Sequence, residues 1–242
     1  MTTLTRTARL TGLAYLGLAV CGLLGFLLVR QQIYVPGDAA ATAANLVGQE
    51  GLARLGIAAD LTVVLSQALA AVGFFALFRR VDAVAAGAVA AFGLVNAVII
   101  LVATTFSATA LTVALADDGT HGDPASTALL LHELTGTAWS VGGLFFGLWL
   151  IPMGWLTARS GSMPRPLGWV LVAGGVGYVL STYLTHVAPD LAGASSVLVV
   201  PATVGEVWMV GYLLWKGAGP GLAARLEDAT TEPAASVLTE GR

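Results

Sequence analysis

The sequence predicts an all-α, polytopic transmembrane helix bundle of about six spans, with both termini on the cytoplasmic side. Hydrophobic residues make up 57% of its 242 residues, charged residues make up only 10%, and the mean hydropathy is +0.83. Soluble domains carry roughly 25% charged residues, so water is not the main solvent of this chain. Long apolar runs recur along the sequence, and Lys and Arg cluster in alternate loops between them.

Six apolar runs are each long enough to cross a hydrocarbon core of roughly 30 Å as a helix rising 1.5 Å per residue. Each run predicts a helix, because an open sheet edge or irregular backbone facing lipid would leave N–H and C=O groups unpaired. The third and fourth helices are expected to continue beyond the membrane at their outer ends. The predicted spans are residues 10–29, 54–78, 84–106, 134–157, 167–186 and 197–215.

The spans and their loops predict a single transmembrane domain over residues 1–217. Residues 218–242 are rich in Gly, Pro, Ala, Thr and acidic side chains, which predicts a disordered cytoplasmic tail. The first span is expected to remain uncut, because Val20 is bulky for a cleavage site before Cys21. Cys21 is the single cysteine, so the chain forms no internal disulfide.

Most Lys and Arg residues lie in loops on one side of the predicted bundle. By the positive-inside rule that side is cytoplasmic, and the opposite loops, which carry acidic residues, are outer. The net charge of −3 without a basic patch excludes nucleic acid as a partner and leaves the lipid bilayer as the expected one. The sorted basic residues are Arg6, Arg9, Arg79, Arg80, Arg159, Arg165, Lys216 and Arg225.

The first outer loop, from Val35 to Gly56, predicts a short helix that leads into the second span. Asp38 is a good N-cap, and the Ala-rich run after it has high helix propensity. Gly51 is expected to end this helix or to mark a bend. Glu50 stands four residues before Arg54, in the favourable order for a helical ion pair.

Three segments together carry a resemblance to a known family. They are the outer loop from Val35 to Gly56, RSGSMPRPLG from Arg159 to Gly168, and VGEVWMVGYLLWKG from Val204 to Gly217. On these segments the chain resembles the bacterial membrane proteins grouped as domain of unknown function 4386, over about residues 8–217. The resemblance implies a multipass protein of the bacterial cytoplasmic (inner) membrane, and it implies no activity, substrate or catalytic residue.

Polar side chains within the spans mark candidate sites, because lipid penalises them. Counting inward from the outer helix ends places Asp60, Glu133 and Glu206 about 10–15 Å below the outer surface, at 1.5 Å per residue. Three carboxyl groups at one level predict a cluster. The candidate ligand-binding residues are Asp60, Gln67, Asn96, His132, Glu133, Tyr178 and Glu206, with Arg54 as a possible ion-pair partner.

Spacings of three and four residues predict the helix faces that meet, since such residues share one side of a helix. Small residues on these faces let neighbouring helices approach closely, and the faces are expected to enclose a polar pocket open to the outer side. The stripe of span four is His132, Gly136, Ser140, Gly143 and Gly147, and that of span five is Gly174, Tyr178, Ser181 and Thr185.

Two functions without catalysis remain open. In the first, an intramembrane acid such as Asp60 or Glu133 hydrogen-bonds to a neighbouring helix and holds together a structural or partner-binding subunit. In the second, the pocket binds or transports a small polar solute, a cation or a proton from outside. We favour the second function, and the sequence predicts neither the ligand nor the oligomeric state. The candidate partners of the acids are Arg54, His132, Asn96 and Tyr178.

The third function is an intramembrane metal-dependent enzyme. His132, Glu133 and His186, with a further acid, are residue types that bind zinc. Their spacing matches no HExxH motif, so this hypothesis is the weakest of the three. The sequence therefore predicts no catalytic residue, no metal site and no cofactor.

Overall fold

The computed structural model describes residues 3–116, 122–188, 190 and 192–218. These residues include six helices that are long and apolar enough to cross a membrane, which confirms the predicted number of spans. Asp117, Asp118, His121 and the predicted tail from residue 219 onward lie outside the described residues. The six spans are Thr3–Ile33, Glu50–Phe78, Ala83–Leu115, Pro124–Arg159, Arg165–Val187 and Ser195–Trp215.

We number the helices in chain order. The first contains a six-residue π-helical segment, Gly25–Arg30, near its end. The third and fourth spans continue as helix to Leu115 and from Pro124, as the sequence predicts. The helices are α1 (Thr3–Ile33), α2 (Ala39–Gly48), α3 (Glu50–Phe78), α4 (Ala83–Leu115), α5 (Pro124–Arg159), α6 (Arg165–Val187), α7 (Ala192–Leu198) and α8 (Val200–Trp215).

The last span differs from the uninterrupted helix that its hydropathy predicts. A turn at Val199 separates α7 from α8. Pro201 lies in the first turn of α8, where it lacks a backbone N–H to donate to the preceding turn. Val199 keeps right-handed helical angles, with φ −89° and ψ −8°, so the interruption is confined to a single turn of the span.

The short outer helix is confirmed as α2. Asp38 is its N-cap, and the carboxylate Oδ1 accepts a 2.8 Å hydrogen bond from the Ala41 N–H. The helix ends at Gly48, and Gln49 has φ −122° and ψ 39°. Gly51 was expected to end or bend this helix, but it lies in the first turn of α3. The expectation was wrong because Gln49 leaves the helical region two residues earlier.

The chain divides into two compact units. The Asp60 unit consists of Ala14–Leu69 and Gly93–Leu144. The Trp155 unit consists of the described residues within Met1–Leu13, Ala70–Phe92 and Phe145–Arg242. Each unit has its own buried residues and its own cavity, and each is described by itself below.

Glycines allow a close contact between α5 and α6 in the Trp155 unit. A Cβ on Gly147 would meet the Gly175 carbonyl oxygen at 2.5 Å, and a Cβ on Gly154 would meet the carbonyl oxygen of Gly168. Helices α5 and α6 therefore touch backbone to backbone along two pairs seven residues apart. Of the predicted stripe in span four, Gly147 takes part in this contact, whereas a Cβ on Gly136 would meet nothing within 4 Å.

Candidate functional site

A buried ion pair joins α1 to α3 in the Asp60 unit. Arg30 Nη2 lies 3.3 Å from Asp60 Oδ2 and 3.5 Å from Oδ1. The Asp60 side chain is 7% exposed and that of Arg30 is 19% exposed. Asp60 stands ten residues into α3, about 15 Å along its axis at 1.5 Å per residue. Two opposite charges thus meet well inside a span, where a lone carboxylate would be costly.

The π-helical segment Gly25–Arg30 ends at the arginine of this pair. Such segments are rare and occur frequently at functional sites, because the wider turn re-aims the side chains that follow it. Gly25 faces the same acid: a Cβ there would lie 3.4 Å from Asp60 Oδ1. The end of α1 therefore contributes to the pair through a charged side chain and through a small residue.

Helix α1 can approach α3 because Gly56 has no side chain. A Cβ on Gly56 would lie 2.7 Å from Val29 Cγ1, well inside van der Waals contact. Gly56 stands one helical turn before Asp60, and Val29 directly precedes Arg30. This close approach positions the two charged side chains opposite each other.

Two aromatic contacts complete the site. The Arg30 guanidinium carbon lies 4.8 Å from the ring centroid of Trp139, a cation–π contact with α5. The ring of Tyr34, just beyond the end of α1, stacks on His132 of α5 with centroids 4.3 Å apart and planes 21° apart. Trp139 and His132 both belong to α5, so the two contacts join α5 to the end of α1.

A cavity of about 40 Å³ lies beside the pair. A water molecule needs at least about 10–15 Å³ of such space, so the cavity admits a few waters or one small ion and excludes drug-sized ligands. Ser107, one of its lining residues, forms a 3.2 Å hydrogen bond with Thr135. The lining residues are Gly25, Val29, Arg30, Ile33, Leu46, Ala53, Gly56, Ile57, Asp60, Ser107, Ala110 and His132.

Helix α2 covers this cavity. Its Leu46 is buried in a cluster with Val29 and Ile33 and also lines the cavity. Thr42 Oγ1 accepts a bond from the Val35 N–H and donates one to the Val35 carbonyl, at 3.1 and 3.2 Å. Asn45 Nδ2 donates to the Ile33 carbonyl at 3.1 Å. The short outer helix is thus fastened to the end of α1 that carries Arg30.

Arg30 and His132 have polar atoms at the cavity that form no hydrogen bond with the described residues. A guanidinium has five N–H donors, and within the described residues Arg30 uses a single nitrogen, Nη2, to reach protein acceptors. Its distances to Asp60 exceed the roughly 2.7–2.9 Å of a close charge-assisted bond. His132 lines the same space, and no described residue hydrogen-bonds its ring nitrogens. The pair can therefore accept a further polar group without losing a tight internal bond.

Two predicted residues lie elsewhere in the Asp60 unit. Gln67 and Asn96 are fully buried, and neither amide has a hydrogen-bond partner among the described residues. The Nε1 atom of Trp139 is likewise buried without a partner there. None of these three residues is among the described residues that line the cavity, although the Trp139 ring contacts Arg30.

The remaining predicted residues are separate from the pair. Glu133 is exposed, although His132 before it lines the cavity. In the Trp155 unit, Tyr178 stacks on Phe146 with centroids 5.8 Å apart, and Glu206 lies close enough to act electrostatically on the phenol. Among the described residues no three His, Cys, Asp or Glu side chains are grouped as a metal site would require.

The partner of Asp60 is Arg30, which the sequence did not single out. Arg54, the predicted ion-pair partner, instead pairs with Glu50 on the same helix, at 2.6 Å between Nε and Oε1. That contact confirms the helical pair expected from their spacing. The sequence signal for Arg30 was a lone arginine at the end of an apolar run, which equally fits a side chain reaching the membrane surface.

The fold and the site define a multipass α-helical membrane protein with a buried ion pair beside a small cavity. The chain belongs to the family described as Domain of unknown function (DUF4386), whose model matches residues 10–217. No curated protein and no solved structure matches the chain.

Proposed function

We propose that this multipass protein binds a small polar ligand with acceptor oxygens in the cavity beside Arg30 and Asp60. The ligand enters from the outer side, and binding is the first step of its recognition or transport. The unused N–H donors of Arg30 carry the proposal, because they line the cavity together with His132 and face no protein acceptor among the described residues.

The sequence left a polar solute, a cation and a proton open as ligands. Arg30 favours an oxygen-bearing solute or small anion, because its guanidinium already balances the charge of Asp60 and repels a metal cation. A carboxylate is the best-matched group, since it can take two parallel N–H···O bonds from a guanidinium. The cavity volume of about 40 Å³ limits the ligand to a few heavy atoms.

The proposal places the protein in a bacterial cytoplasmic membrane with both termini cytoplasmic. Its support is the distribution of positive charge: Arg79 and Arg80 directly follow α3, Arg159 ends α5 and Arg165 begins α6. The ends of α3 and α5 next to these arginines are opposite to the ends of the same two helices that lie nearest Asp60 and His132. By the positive-inside rule, the cavity therefore lies toward the outer side.

Thermal unfolding of the full chain in detergent tests the proposal. The additives are formate, acetate, nitrate and bicarbonate, with sodium, potassium and magnesium chlorides for comparison. We expect one oxygen anion to raise the melting temperature, since a ligand at 100 times its Kd contributes about 2.7 kcal/mol. Arg30→Gln removes this response, whereas the control Arg54→Gln keeps it, because Arg54 belongs to an exposed pair away from the cavity lining.

In the competing function, the Arg30–Asp60 pair is purely structural and stabilises the packing of α1 against α3. Removing one member of a buried pair costs about 3–5 kcal/mol, whereas replacing both by apolar residues is often neutral. The pair is structural if no anion shifts the melting temperature of the wild type, and if Arg30→Met with Asp60→Leu restores the stability lost by either single change. That result would overturn the binding proposal.

A further inference from the structure

The Trp155 unit contains a second cavity, unrelated to the ion pair. It is an open groove of about 550 Å³, within the size range of roughly 300–1,000 Å³ that holds small molecules. The groove lies where α5 ends and α6 begins, beside the start of α4. Its lining includes Asp82, Trp155, Arg159, Gly161, Arg165 and Trp169.

The groove carries unbalanced positive charge. Arg159 and Arg165 both line it, and within the described residues neither has a carboxylate within salt-bridge distance. Asp82 is the single acid among the described lining residues, and its Oδ1 accepts a 2.9 Å bond from the Ala85 N–H and caps α4. Two guanidinium groups therefore face an open space with their donors available for an anion.

The arginines are held by a loop that is already ordered. The guanidinium carbon of Arg159 lies 4.7 Å from the ring centroid of Trp155. Gly161 has φ +70°, a left-handed conformation that glycine adopts without strain. The Ser162 carbonyl accepts a 2.6 Å bond from the Tyr212 hydroxyl of α8. The turn between the arginines is thus fixed by its own backbone and by a neighbouring helix.

An apolar surface begins at the mouth of this groove. Trp169, one turn into α6, is 61% exposed. Further exposed apolar residues follow on the same face of α6, at spacings of three, four and seven residues: Val176, Leu180 and Tyr183. A molecule with a charged head in the groove can therefore lay an apolar chain along α6.

We propose that the groove binds the phosphate-bearing headgroup of an anionic phospholipid, with an acyl chain along the exposed face of α6. Phosphate oxygens match the forked donors of Arg159 and Arg165, and basic pockets between transmembrane helices on the cytoplasmic side are suited to such headgroups. Trp155 and Trp169 are of the residue type that concentrates at the lipid headgroup level. The proposal is independent of the ligand at Arg30.

The test compares lipids added to the full chain in detergent. Phosphatidylglycerol should raise the melting temperature by several degrees, and phosphatidylcholine at the same concentration should not. Arg159→Gln with Arg165→Gln should remove that rise and lower the melting temperature without lipid only slightly, because it also loses the contact between Arg159 and Trp155. The control Arg79→Gln with Arg80→Gln removes the same charge from an exposed neighbouring loop outside the groove lining, and it should keep the rise.

Mass spectrometry of the intact protein–lipid complex provides the second measurement. We expect at least one phosphatidylglycerol to stay bound to the wild type and to the Arg79/Arg80 control, with occupancy reduced tenfold or more in the Arg159/Arg165 variant. Equal loss in both variants would show general attraction to charge and would overturn the site. Stabilisation by inorganic phosphate alone, equal to that by phosphatidylglycerol, would overturn the lipid assignment.

Discussion

The imidazole of His132 lies on the ring of Tyr34, with centroids 4.3 Å apart and ring planes 21° apart. Tyr34 follows the last residue of α1, and His132 belongs to α5 and lines the cavity. The stack therefore joins the end of α1 to α5 beside the cavity. An aromatic pair of this kind contributes about 0.5–1.5 kcal/mol beyond its buried area.

Replacing Tyr34 by Leu should therefore lower the free energy of unfolding by about 0.5–1.5 kcal/mol, because the stacked ring is lost. Tyr34→Phe keeps the ring and should behave as the wild type, since the described structure gives the phenol no hydrogen bond. Denaturant or thermal unfolding in detergent measures both variants. Equal losses from the two substitutions would show that the hydroxyl, not the stack, is important.

Gly56→Ala tests the close approach of α1 and α3. The added Cβ would lie 2.7 Å from Val29 Cγ1, and overpacking of this kind costs about 1–3 kcal/mol. Val29→Ala in the same chain should recover most of the loss. The control is Gly51→Ala on the same helix, where a Cβ meets nothing within 4 Å and the helix should gain up to about 1 kcal/mol. Identical effects at the two glycines would contradict the contact.

Gln67 and Asn96 each bury an amide that no described residue satisfies. An unsatisfied buried polar group costs about 1–3 kcal/mol, so Gln67→Met and Asn96→Leu should each raise the melting temperature. Thermal unfolding of the two variants checks this expectation. A fall in either variant would mean that the amide has a partner, such as an internal water, that the protein atoms do not supply.

Asp123 should stabilise the first turn of α5 as an N-terminal cap, and this stabilisation should depend on pH. Its Oδ2 accepts a 2.5 Å bond from the Ser126 hydroxyl, and Oδ1 accepts one from the Ala125 N–H at 3.1 Å. The bond from Ser126 is the main cause that lowers the pKa of Asp123 below its ordinary value of 3.8. The cap is therefore fully present above the ordinary pKa and is lost as the pH falls through the lowered one.

Hydrogen exchange of the first turn of α5 measures this cap. Asp123→Ala should lower the protection factors there at neutral pH, and acidification of the wild type below the usual carboxyl range should produce the same change. Asp38→Ala at the N-cap of α2 is the matched control, which should affect α2 and leave α5 unchanged. Protection in α5 that does not respond to Asp123→Ala would rule the cap out.

Local rules predicted much of this molecule from its sequence. Six spans follow from hydropathy, and the Asp38 cap and the Glu50–Arg54 pair follow from spacings of three and four residues. The Arg30–Asp60 pair joins residues thirty positions apart on different helices, so no helical period reveals it. Its position depends on the Gly56 contact, which is a property of two packed surfaces.

The depth of a residue along a helix was also easier to predict than the side of the helix on which its side chain lies. His132 and Glu133 stand at nearly the same depth, but successive residues point about 100° apart around a helix. One therefore lines the cavity and the other is exposed. The sequence indicated the right level for a polar site and did not distinguish which of the two side chains faces it.

The π-helical segment Gly25–Arg30 makes the length of α1 as important as its composition. Its hydrogen bonds close over five residues where an α-helix closes over four, so the segment accommodates one residue more than an ordinary turn. Wound as an ordinary α-helix, the same residues would turn Arg30 by about 100° relative to the start of α1. Arg30 would then point away from Asp60, although no residue of the pair had been changed. Deleting one residue within the segment, such as Leu27, removes the extra residue and allows α geometry with Arg30 still directed at Asp60. The pair therefore depends on the number of residues in α1 as well as on their kind.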